Sequence, residues 1–227
     1  MEPQKEKLSA AELTRKYIDR HPSIKDCISK DLINYSSLSR LIMKETGIRN
    51  EEAVLAASRR YAMKLAKTDS EGAITSLFED SRLELKTKIC IVVAKNEWIV
   101  LRNLEDVVRK ILAEKSTMQV LQSTSAITVI SEDKHLPAIV KAIGQDHVIK
   151  VRENLGEITV KSPSRIEETP GAFAFVMSLL SEQGINLIEA VSCYTDTIFI
   201  VSREQMMHAF DILSLCIEDK IVPKNSV

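Results

Sequence analysis

The residues with the most chemical potential in this chain form one short run, Glu167-Glu168-Thr169-Pro170-Gly171-Ala172, placed directly before an apolar helix. Pro170 presets its φ near the helical value, and Gly171 lets the backbone approach closely. The first-turn amides of a helix have no partner within the helix. They favour an anion such as a carboxylate. The same Pro and Gly also suffice simply to start a helix, so the residues alone leave both uses open.

Other chemistry is sparse. His21, His135, His147 and His208 are dispersed, with no ligand spacing to a second His or to a Cys, so no metal site is expected. Cys27, Cys90, Cys193 and Cys216 form no Cys-x-x-Cys pair and sit among apolar or helical residues. They read as free thiols of a reducing compartment. No Gly-x-Ser-x-Gly, glycine-rich phosphate loop or His-Glu-x-x-His occurs. The expectation is therefore a non-enzyme with no catalytic residues and no cofactor. Asp80, Glu84 and Glu105-Asp106 read as ordinary solvated charges. No apolar run reaches transmembrane length and the first residues are charged, so no membrane partner and a cytoplasmic location are expected.

Composition bounds the rest. With 227 residues there is room for two or three small domains, and 44% hydrophobic with 28% charged residues suits a folded chain. Aromatics at 4% are thin for a stacking platform. The net charge of -1 hides an asymmetry: residues 1–67 carry 14 Lys/Arg against 9 Asp/Glu, and residues 68–227 carry 17 against 23. A basic front and an acidic body point to different partners.

These residues must be positioned by recognisable elements. Residues 1–67 read as a helical domain, with Leu38, Leu41 and Ile42 on one face, Gly47 as a stop and Asn50 as an N-cap. The polar stretch 68–86 reads as a linker, with room for a short strand or helical turn. From 87 the pattern is strand, helix, strand, strand, helix, strand, a ferredoxin-like βαββαβ order. It repeats from 154, with a turn expected at Asn154-Leu155-Gly156 between two strands, 148–153 and 157–162. The last strand of the second repeat is weak, only Lys-Ile-Val before a polar tail. The fold class is thus α+β: a helical domain at 1–67, a linker at 68–86, and βαββαβ units at 87–153 and 154–227. KICIVVA and TIFIVS are apolar at nearly every position, so both sheet faces should be covered, by the other unit or by a second chain.

The second unit resembles the ACT domain, the small-molecule-sensing module of amino-acid metabolism. The resemblance is carried by ITVKSPSRIEETPGAFAFVMSLLSEQGINLIEAVSCYTDTIFIVS followed by EQMMHAFDIL. It is most similar to the tandem ACT region at the end of aspartate kinases, including the Glu153-Asn154-Leu155-Gly156 turn. Residues 87–153 look like a degenerate first copy, with KNEWIVLRN where the Pro-Gly loop would be. There Trp98 would plug a vestigial pocket or cover an interface. No part resembles the kinase catalytic domain. The resemblance implies a ligand pocket between the loop Glu167, Glu168, Thr169, Pro170, Gly171, Ala172 and the strand start Ile185, Asn186, Leu187 of a partner ACT unit. In it Asn186 would hydrogen-bond a ligand amine or carboxylate, and Glu167 and Glu168 would pair with an ammonium.

In the front domain, NYSSLSRLIMKETGI and RNEEAVLAASRRYAMKL have helix-turn-helix spacing. Arg49, Arg59, Arg60 and Lys64 are the candidate nucleic-acid contacts. Glu51 and Glu52 at the tip of the second helix would meet phosphate badly, which favours dimerisation or protein docking over DNA. The resulting expectation is a non-catalytic regulator, a homo-oligomer and most simply a dimer. It would sense a small-molecule effector, an amino acid by resemblance, and relay this to the helical domain. The alternatives are a ligand-responsive DNA-binding regulator and a ligand-free scaffold.

Overall fold

Capping and spacing build the first helices as the sequence predicts. The structure, a computed structural model, describes residues 8–65 and 70–218. The chain divides between Asp69 and Ser70 into two compact units. In the first, α1 (Ala10–Asp19), α2 (Pro22–Ser29), α3 (Tyr35–Thr46) and α4 (Glu51–Lys64) enclose Ile18, Ile28, Leu38, Ile42 and Val54. Ser9 and Glu12 form a capping box on α1. Asn34 and Asn50 accept from the amides of Ser37 and Ala53 at the starts of α3 and α4. Gly47 ends α3 with φ 74°, a left-handed conformation that favours glycine.

The second unit contains α5 (Ser70–Glu79), β1 (Arg82–Lys95), α6 (Trp98–Ala113), β2 (Met118–Gln122), β3 (Ala126–Glu132), α7 (Leu136–Ile143), β4 (Val148–Lys161), α8 (Ala172–Glu182), β5 (Glu189–Cys193), β6 (Asp196–Ser202) and α9 (Arg203–Glu218). The strands form one antiparallel sheet in the order β2-β3-β1-β4-β6-β5. The fold is α+β with two βαββαβ repeats.

The repeats share their central strands. Ile89 to Lys95 of β1 pair with β3, whereas Arg82 to Lys86 pair only with β4. Likewise only Leu155 to Lys161 of β4 pair with β6. The front of β1 is thus the fourth strand of the second repeat, the strand that looked weak in sequence. The Lys-Ile-Val segment after 218 lies outside the described residues. At the hand-over points Lys88 and Asn154 both have φ 57°, and the register shifts beside them. These irregularities flip which side chains face which side. β4 runs through 154 as one strand, not two strands and a turn.

The segment read as a linker is structural. Ile74, Leu77 and Phe78 of α5 are buried with Ile158, Val160, Phe199 and Val201 under α8 and α9. Its three apolar anchors at helical spacing were masked by polar neighbours. A second core, with Val92, Val100, Leu104, Ile127 and Ile139, lies under α6 and α7.

The opposite face of the sheet is covered within the same chain. Ile89, Ile91, Ile130, Leu155, Ile198 and Ile200 form a third buried cluster drawn from both repeats. On a flat sheet Gln119 and Glu157 would be three strands, about 14 Å, apart, with a further offset of about 17 Å along the strands. Instead Gln119 Nε2 donates to Glu157 Oε2 at 3.4 Å. The sheet therefore bends at its irregular positions and folds the two inner faces together. The apolar strands do not by themselves require a second chain.

Candidate functional site

The loop before α8 is held from behind by α5. Residues Ser164–Glu168 form a 3-10 turn with Ile166 buried in the core. Arg165 donates to the Ser76 carbonyl at 2.8 Å and pairs with Asp80, so Asp80 is no free surface charge. The Thr169 hydroxyl donates to the Arg165 carbonyl at 2.7 Å. Helix α8 begins at Ala172 and not at Pro170. Gly171 caps it with φ 92°, a left-handed conformation disfavoured for L side chains. A Cβ at Gly171 would lie 3.3 Å from Ile74 Cδ1. Ala172 is buried, and its amide donates to the Thr169 carbonyl at 3.3 Å. Glu167, Glu168 and Pro170 are exposed.

The strand start opens elsewhere. Ile185 is buried in the core and its amide donates to the Leu180 carbonyl. Gln205 of α9 clamps the turn: its Oε1 accepts from the Asn186 amide at 3.2 Å and its Nε2 donates to the Gly184 carbonyl at 3.1 Å. Beyond this clamp Asn186 and Leu187 line a cavity of about 220 Å³ with Ile188, Glu189, Ile91, Val93, Lys150 and Arg152. Of the predicted ligand residues, only these two enter it. Within one chain the loop 167–172 and the strand start do not share a cavity.

The cavity has an apolar floor and a charged rim. Ile91 and Val93 are cross-strand neighbours of Arg152 and Lys150. Neither cation has a hydrogen bond or ion pair among the described residues, and Glu189 has none either. Sequence reasoning missed Lys150, Arg152 and Glu189. Their signal was the repeat itself: pairing the front of β4 with the end of β1 sets Arg152 and Lys150 beside Ile91 and Val93, and the folding of the sheet brings Glu189 of β5 to the same cavity.

A related polar cluster lies in the other half. Lys86 Nζ is 3.1 Å from Glu157 Oε1 and donates to Thr117 Oγ1 at 2.8 Å, and Gln119 also donates to Glu157.

A larger cavity, about 820 Å³, lies between α5, α8 and α9, lined by Phe78, Phe175, Leu179, Ile212 and Leu215 among others. Glu182, His208 and Asp211 also line it, but its surface is mainly apolar, whereas Lys150, Arg152 and Glu189 give the smaller cavity charges of both signs. In the first unit Arg15, Arg60 and Lys64 border a groove of about 420 Å³ between α1 and α4. Arg49 and Arg59 are exposed and do not line that groove. Trp98 is 75% exposed at the start of α6 and plugs no pocket among the described residues. Among the described residues no group of three or more His, Cys, Asp or Glu could hold a metal ion, and no helix is long and apolar enough to cross a membrane.

No family model and no curated protein matches the chain. Solved structures similar to it include a candidate C-terminal regulatory domain of aspartate kinase from Porphyromonas gingivalis W83. That match is 17% identical with a TM-score of 0.45, covering 61% of this chain and 98% of that one. The ligand-free regulatory subunit of aspartate kinase from Thermus thermophilus is 9% identical with a TM-score of 0.47, covering 60% and 97%. Aspartate kinase from Clostridium acetobutylicum is 11% identical with a TM-score of 0.49, covering 59% of this chain and 33% of that one. At these scores and identities none of them carries a residue's role to this chain.

Proposed function

We propose that this protein is a non-catalytic regulator whose paired ACT-like repeats bind a small amino acid. The observation that carries the reading is the 220 Å³ cavity at Asn186 and Leu187, with Lys150, Arg152 and Glu189 on its rim and unpaired among the described residues. A zwitterion presents a carboxylate and an ammonium, which complement a rim bearing both signs. Relay to the helical unit requires the ligand to bind two conformations with different affinity. Homodimerisation belongs to the same proposal: the loop 167–172 would meet the strand start of a second copy. The location proposed for the chain is cytoplasmic.

The test is a thermal-shift screen of the twenty amino acids on the full chain. At least one should raise Tm saturably, as preferential binding to the folded state requires. No shift with any of them would overturn the sensor and leave a ligand-free scaffold.

A second reading, DNA as the output, is favoured by one observation: Arg15, Arg60 and Lys64 converge on one groove. Retardation of genomic fragments that weakens steeply with salt would support it. No retardation at low salt would sink it and leave protein docking as the role of α1 to α4.

A further inference from the structure

The second unit builds the same place twice. A shift of 66 residues carries β1 onto β4 and aligns Lys88 with Asn154, both at φ 57°. A shift of 70 carries β2 and β3 onto β5 and β6, since Gln119 and Glu189 face Ile130 and Ile200, which in turn face Ile91 and Glu157. Four equivalences follow around the open cavity. Ile91 corresponds to Glu157, Arg152 to Lys86, Leu187 to Thr117, and Glu189 to Gln119.

One copy is closed by its own side chains. There the Lys86 ammonium is satisfied by the Glu157 carboxylate and the Thr117 hydroxyl, and Gln119 donates to the carboxylate from the other side. In the other copy Ile91 replaces the carboxylate and Leu187 replaces the hydroxyl. Arg152 keeps the cation and has no side-chain partner among the described residues, nor has Lys150 beside it. Glu189 stands in Gln119's place, its carboxylate also without a partner among the described residues. The open copy thus has two cations and one carboxylate where the closed copy is internally neutralised.

We propose that the open cavity takes a small acidic amino acid, one of whose carboxylates occupies beside Arg152 the place that the Glu157 carboxylate holds beside Lys86. The second carboxylate meets Lys150 and the ammonium meets Glu189, so the charges balance. The Asn186 side-chain carboxamide offers both a donor and an acceptor, and about 220 Å³ admits a ligand of this size. The closed copy binds nothing, so each chain takes one ligand. This deepens the sensor reading and rests on this cavity being its effector site.

The experiment is calorimetric titration of the full chain with L-glutamate, L-lysine and succinate, on wild type and three variants. Wild type should bind L-glutamate at one per chain. Arg152→Gln should weaken binding at least about tenfold, as expected for loss of a charge-assisted hydrogen bond. Ile91→Glu should abolish binding by supplying the internal carboxylate. Glu157→Gln should leave the L-glutamate affinity unchanged. Arg152 is exposed, so its variant folds whatever Ile91→Glu does. L-lysine binding without L-glutamate binding would overturn the acidic ligand while the sensor stands. Succinate binding that is lost in Arg152→Gln, with neither amino acid bound, would keep the carboxylate place and overturn both the amino-acid ligand and the sensor. Unchanged L-glutamate affinity in Arg152→Gln, two ligands per chain, or no binding by any probe would overturn the proposal.

Discussion

The Lys86 ammonium lies 3.1 Å from the carboxylate of Glu157, its cross-strand neighbour, with Glu157 only 1% exposed and Lys86 44% exposed. A carboxylate taken so far out of water depends on that partner and on Gln119. Lys86→Met should therefore destabilise the second unit by about 1–3 kcal/mol, between the values for exposed and buried pairs. Adding Glu157→Leu should recover most of the loss, because no buried charge is then left unpaired. Urea unfolding of the single and double variants measures both; equal stability of Lys86→Met and wild type would show the pair to be idle.

Gly156 lies on β4 against α9. A Cβ there would come within 2.5 Å of Met206 Cγ and Sδ. Gly156→Ala should cost about 1–3 kcal/mol by overpacking. The cost should shrink in a Met206→Ala background, and a double-mutant cycle reads that coupling. Additive losses would place the cost in the backbone instead.

Burial, reinforced by the hydrogen bond to Asp19 and the charge of that group, pushes the Tyr61 phenol up to about 12. Absorbance titration should find one of the four tyrosines protonated until about pH 12. Tyr61→Phe should remove that step and destabilise the helical unit by about 1 kcal/mol.

The hydrogen bond from Lys161 holds the Glu84 carboxyl below the usual range, and the one from Lys134 does the same for Glu132. Both groups ionise more readily folded than unfolded. Their contribution is complete above the ordinary carboxylate pKa of about 4.3 and is lost as pH falls through the lower folded values. Melting temperature should therefore fall as pH is lowered from 5 towards 2, and the fall should be shallower in Glu84→Gln and Glu132→Gln.

Burial pushes the Cys90 thiol up to about 12, whereas Cys193 is exposed at the end of β5. Iodoacetamide at pH 8 should label Cys193 in the native protein and Cys90 only after unfolding, since the thiolate is the reactive form. Peptide mapping would show which thiol reacts first.

Much of this protein is determined by its sequence alone, wherever the cause is local. Asn34, Asn50 and Gly47 set the ends of α3 and α4 because caps act within a few residues. The apolar stripe of α6 and the β-branched runs of β1 and β6 follow from their own periodicities. The repeated βαββαβ order was equally legible. Only the tertiary structure decided which strand completes which repeat, because Lys88 and Asn154 change the facing of β1 and β4 without leaving a pattern in hydrophobicity. It also decided that α5 backs Gly171, and that Asn186 opens onto Lys150 and Arg152. Those neighbours are tens of residues apart in the chain. The packing of α5 into the core under α8 joins the first pair, and the folding of one sheet face onto the other joins the second; no local preference encodes either.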